Sequence, residues 1–145
     1  MMNINYNKGI PRVPEGVEPP NDLVKLHMKI DMTVDIARQS YEKCNNKKID
    51  LYSFVEEVCN IVSATYKSMQ NGKRRWTRAQ LGKLCVGLGL TLEQADELFV
   101  LQEGKLSMTN NLDIVIYYAL KDKDSVFDFC KEVKERTGKD IDSFK

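Results

Sequence analysis

Residues 50–90 constrain the fold most. They read DLYSFVEEVCNIVSATYKSMQNGKRRWTRAQLGKLCVGLGL, three short runs with apolar residues at steps of three and four. Asp50 is placed to cap a helix over Leu51–Cys59, with Leu51, Phe54, Val55 and Val58 inward. Asn60-Ile61-Val62 then makes a turn. Ser63 is expected to cap a helix over Ala64–Gln70, which Asn71-Gly72 stops. Thr77-Arg78-Ala79-Gln80 reads as a capping box opening a further helix, whose inward face is Leu81, Leu84, Cys85 and Leu88. Gly87 and Gly89 close it.

Charge gives this stretch a direction. From Val62 to Leu84 the bases are Lys67, Lys73, Arg74, Arg75, Arg78 and Lys83, and there is no acid. The whole chain carries a net charge of only +1, so any pull towards a polyanion has to be local. A turn-linked helix pair with an unopposed basic edge is what a helix-turn-helix presents to a phosphate backbone.

The 145 residues are enough for one domain, or for one domain with an appended piece. All four prolines, Pro11, Pro14, Pro19 and Pro20, fall in residues 1–20, which read as an extended arm. Asn21 can cap a long amphipathic helix over 22–44, with Leu23, Leu26, Ile30, Val34, Ala37, Tyr41 and Cys44 along one stripe. Its seven-residue recurrence also fits a dimer seam, although so short a pattern favours packing onto the rest of the chain. Thr91-Leu92-Glu93-Gln94 is a second capping box. It opens a helix with Leu92, Ala95, Leu98, Phe99 and Leu101 apolar, ended by Gly104. Two more helices are expected, at about Leu112–Lys121 and Ser125–Arg136. The first contains Ile114-Val115-Ile116-Tyr117-Tyr118, which has strand propensity. A lone strand would have nothing to pair with, so helix is expected. The expected organisation is therefore all-α: an arm (1–20), a helical domain (21–104) and a C-terminal helical extension (105–145) packed on it.

The run Val62-Ser63-Ala64-Thr65-Tyr66-Lys67-Ser68-Met69-Gln70-Asn71-Gly72-Lys73-Arg74 resembles the recognition helix and following turn of the Cro/repressor-type (XRE-family) helix-turn-helix. Thr77 and Leu81-x-x-Leu84-x-x-x-Leu88 continue the pattern. Leu84–Phe99 is similar to the fourth and fifth helices of such domains. The likeness covers about residues 50–103. It extends more loosely over 105–137, where some bacterial members carry a further helical pair.

The resemblance implies a lambda-repressor-like bundle that binds double-stranded DNA, with the 63–70 helix in the major groove. Ser63, Ala64, Thr65, Tyr66, Lys67 and Gln70 are then candidates for that contact. Gln70 and Asn71 can bond adenine or phosphate, Lys73, Arg74 and Arg75 would lie beside the backbone, and Arg78 is a further DNA-binding candidate. The sequence departs from the family at Tyr52, where a phosphate-clamping Gln is common, and at Glu56, where a small residue is usual. Asn60 stands where Gly is frequent. Glu56 and Glu57 put negative charge near the proposed DNA face, so a helical protein-interaction module that has lost DNA binding is the alternative.

Other classes find little footing. The one histidine, His27, lies beside an apolar stripe. No nucleophile–base pair, glycine-rich phosphate loop or metal spacing occurs, so neither catalysis nor a cofactor is expected. Cys44, Cys59, Cys85 and Cys130 form no C-x-x-C pair. No apolar run approaches the roughly 20 residues of a membrane span, and the N-terminus lacks a signal-peptide core; a cytoplasmic protein is expected. Between Asp113 and Lys145 eight acids face seven bases, the pattern of a solvated face with an apolar stripe suited to dimerisation. A homodimer would use that helical pair or the 22–44 helix.

Overall fold

A computed structural model describes residues 21–145; the expected arm over 1–20 lies outside the described residues. Among the described residues seven α-helices follow in order: α1 (Asp22–Asn45), α2 (Leu51–Cys59), α3 (Ser63–Gln70), α4 (Arg78–Gly87), α5 (Leu92–Gln102), α6 (Asn111–Asp122) and α7 (Val126–Thr137). A single 3-10 turn, Ile141–Ser143, ends the chain. Among the described residues there is no strand, so Ile114–Tyr118 is helical despite its β-rich composition.

Short polar side chains start most of these helices by accepting otherwise orphaned backbone N–H groups. Asn21, Asp50, Thr77, Thr91, Asn110 and Ser125 all do so. Thr91 and Gln94 form the full reciprocal box. Two expected caps differ. Helix α3 begins at Ser63 itself, with Val62 as a cap that offers no side chain. Its first turn is served from outside: the Ser63 N–H and hydroxyl both donate to Glu56 Oε1, at 3.2 and 3.0 Å. The Thr77 box is one-sided, because the Gln80 amide reaches the C-terminal tail at Asp142 instead of turning back.

Helix α4 is the axis of the bundle. Ala79, Leu81, Gly82, Lys83, Leu84, Cys85 and Val86 are all buried, far more than one inward face, while Leu88 is only half-buried. A helix buried on so many sides has to be surrounded. Helix α4 accordingly touches α2, α5, α6, α7 and the 3-10 turn. Two glycines let the neighbours close in. A Cβ on Gly82 would meet Ile116 of α6 at 3.0 Å and Phe129 of α7 at 3.2 Å. One on Gly87 would lie 2.6 Å from the backbone of α2.

Helix α1 lies against α5 and α2 through Leu26, Ile30 and Val34. The ends of its expected stripe, Leu23 and Cys44, are exposed. Helices α6 and α7 pair with each other and cover α4. A single apolar cluster runs from Leu26 to Ile141, and the C-terminal pair shares it. No helix among the described residues is long and apolar enough to cross a membrane.

Candidate nucleic-acid interface

Helices α2 and α3 are joined by Asn60, Ile61 and Val62. Asn60 takes the left-handed conformation (φ 57°, ψ 36°), which Asn tolerates better than most residues. Ile61 is buried and pins the turn to the core. Tyr66 and Met69 fix the inner face of α3. On the outer face Ala64 and Lys67 are exposed, with Ser63, Thr65 and Ser68 half-buried beside them.

Tyr66 is therefore not a surface residue, contrary to expectation. Its ring is fully buried, edge-on to Trp76 (centroids 5.8 Å apart) and to Tyr52 (6.0 Å). Burial pushes its hydroxyl pKa up, and the hydroxyl has no partner among the described residues. Trp76 is likewise a core residue. Gln70 is half-buried and engaged: the Tyr52 hydroxyl donates to its Oε1 at 2.7 Å. Tyr52 thus ties α2 to α3, and its ring also carries Lys67 Nζ at 4.7 Å from the centroid.

The basic stretch, acid-free in sequence, meets acids from elsewhere in the chain. Arg75 pairs with Glu103 at 3.0 Å, in an exposed contact. Lys83 is 2 % exposed and pairs with Asp142 at 2.8 Å. Arg78, expected to contact DNA, is instead a structural hub. Its Nε and Nη2 donate to the two oxygens of Asp113 at 2.8 and 3.0 Å. Its Nη1 reaches Gln102 and its Nη2 the Lys105 carbonyl. Asp113 is itself buried, so this bidentate pair bolts α4 to α6 and to the loop after α5. Of the six bases only Lys67, Lys73 and Arg74 lack an acidic partner among the described residues. Asn71, Lys73, Arg74 and Arg75 are all exposed in the turn after α3. The Asn71 side chain accepts from the Lys73 N–H, which holds that turn.

Sequence reasoning missed the C-terminal tail. Asp142, Phe144 and Lys145 come back against α3 and the turn, lining a cleft of about 360 Å³ with Thr65, Arg74 and Lys83. A second depression of about 420 Å³ on the other side of Phe144 and Lys145 is lined by Arg75, Arg136 and Lys139. The segment read as a solvated dimer face therefore contributes cations beside the α3 turn. Nothing in its local pattern signals this, since the placement depends on Ile141 docking in the core.

Acidic groups sit nearby as well. Glu56 lies at the N-terminus of α3. Burial raises the Asp142 pKa, but the hydrogen bonds from Lys83 and Gln80 and the charges of Lys83 and Arg74 hold its carboxyl below the usual range. Among the described residues no His/Cys/Asp/Glu cluster has the makings of a metal site. In comparisons with known proteins, no family model, curated protein or solved structure matches the chain.

Proposed function

We propose that the chain is a sequence-specific regulator that binds double-stranded DNA in the manner of XRE-type helix-turn-helix domains. In this reading α3 enters the major groove through Ala64, Thr65 and Lys67, with Ser63 and Gln70 at its ends. Asn71, Lys73 and Arg74 lie on the flanking phosphates and Arg75 at their margin. The observation that carries it is the pair Lys73 and Arg74, exposed and without an acidic partner among the described residues, directly after a short helix whose outer face is small and polar. Such a face can approach base edges while the cations supply salt-dependent affinity. Two-fold DNA sites would call for a homodimer. Met32 and Ile36 on α1, or Tyr118 and Phe127 on α6 and α7, are the exposed apolar groups from which to build one.

One observation favours a second reading, a helix-turn-helix-derived interaction module. Glu56 occupies the positive end of α3, where a DNA phosphate would otherwise be welcome. Fluorescence anisotropy separates the two. The regulator binds a duplex from upstream of its own gene more tightly than a shuffled duplex, and the preference persists at higher salt. Absence of binding to either duplex at low salt would leave the interaction module.

A further inference from the structure

The cleft between α3, the 71–77 turn and the C-terminal tail has a feature that base reading does not require. Lys83 lies at its base, almost wholly buried on the central helix, yet its ammonium is held by one carboxylate whose own side chain is 64 % exposed. Burying an ammonium is costly, and an apolar residue would fill the same space without that cost. Gln80 donates to the same Asp142 oxygen at 2.9 Å, while its Oε1 is buried without a partner among the described residues. Above them Arg74 is exposed, and among the described residues its guanidinium hydrogen-bonds only to Thr65 Oγ1, at 3.4 Å, the long limit for such a bond. Lys145 and the hydroxyls of Thr65 and Thr77 complete the wall. Four cations (Arg74, Arg75, Lys83 and Lys145) line the cleft against one acid, Asp142. Arg75 is already engaged with Glu103 outside it.

We propose that this cleft is a phosphate-binding pocket in which a phosphate oxygen replaces the Asp142 carboxylate on Lys83 and Gln80, with Arg74 and Lys145 on the remaining oxygens. A carboxylate on Lys83 and Gln80 marks the position an oxyanion takes. A tetrahedral phosphate adds oxygens that can reach the uncommitted fork of Arg74 at the same time. The cleft volume accommodates a phosphate with a sugar-sized group attached. The recognised chemistry is the phosphate, carried either by a nucleic-acid backbone or by a free phosphate compound. The pocket does not depend on α3 reading bases. If the source is a duplex, it deepens the proposed function by adding a phosphate anchor on the tail side of the turn.

The test uses the full chain labelled with ¹⁵N, titrated with inorganic phosphate at constant ionic strength and, separately, with a mixed-sequence duplex. Inorganic phosphate should give saturable shifts centred on Thr65, Arg74, Gln80 and Asp142. Arg74→Gln, an exposed change that leaves the core intact, should weaken phosphate binding about tenfold or more. Asp142→Asn should tighten it by removing the competing charge. Lys131→Gln, exposed on α7 and outside the cleft, should leave it unchanged. Should Asp142→Asn fail to fold because Lys83 loses its partner, Arg74→Gln alone decides. Duplex binding that shifts the same resonances and is displaced by phosphate identifies a backbone source. Phosphate binding without duplex binding upholds the pocket with a free phosphate compound as its source, and ends the DNA reading. Shifts that never saturate, or that survive Arg74→Gln, overturn the pocket; duplex binding in that case leaves the DNA reading standing.

Discussion

Arg78 and Arg74 stand four residues apart with the same charge and opposite roles. Arg78 Nε is 2.8 Å from an Asp113 carboxylate that is 3 % exposed. Arg74 is exposed and has no acidic partner among the described residues. Removing one member of a buried pair strands the other charge, which typically costs about 3–5 kcal/mol. Arg78→Ala should therefore lower the melting temperature sharply, and Arg78→Lys should rescue it poorly because one ammonium cannot replace the fork. Arg74→Ala should leave melting nearly unchanged; equal losses from both variants would mean that the two roles are misassigned. The thiols divide in the same way. Burial pushes Cys59 up to about 12 despite the nearby Lys83 charge, and it raises Cys85 as well. Burial also raises the half-buried Cys130, whereas Cys44 is exposed. At mildly alkaline pH a thiol reagent should label Cys44 first and Cys130 slowly, and reach Cys59 and Cys85 only on unfolding. Rapid labelling of four thiols in the native protein would contradict the packing.

At the scale of elements, the placing of α2 and the turn into α3 depends on how closely α4 lies against α2. A Cβ at Gly87 would fall 2.6 Å from Cys59 Cα and from the Val58 carbonyl oxygen, both backbone atoms that cannot swing aside. Gly87→Ala should cost about 1–3 kcal/mol through overpacking. It should also disturb α2 and the turn before α3. A neutral result would mean that the crossing is looser than described. The helices themselves were largely legible, because caps and stops are local chemistry: α2 matches its expected bounds, and α5 carries its full box. Helix α4 was legible as a helix but not as the centre. Its leucines suggest one face, and the burial of Gly82, Lys83 and Val86 depends on neighbours distant in sequence. The fate of the basic stretch was illegible for the same reason, since Glu103, Asp113 and Asp142 neutralise bases 28 to 59 residues away. The burial of Tyr66 is not legible either, because a two-turn helix shows too little periodicity to fix which face is inward.

Across the whole molecule, the C-terminal tail couples the core to the candidate interface. Ile141 is buried, while Asp142 reaches the ammonium of Lys83 on the central helix. The folded-state pKa of Asp142 is lowered from its ordinary 3.8, so its contribution to tail docking is present above that value. It is lost as pH falls through the lower folded value, and solvent exposure keeps it small. Resonances of Ile141 and Phe144 should hold steady from neutral pH to about pH 4 and move only below it. A transition near neutrality would assign the tail's hold to another group. Whether the turn after α3 meets a phosphate backbone is read from the salt dependence of duplex affinity, for the native chain and for the Lys73→Gln/Arg74→Gln double variant. If both cations sit on phosphates, the slope of log affinity against log salt flattens by about 0.9 per contact, nearly two units in all, with melting unchanged. An unaltered slope would place the turn away from the backbone and contradict the account.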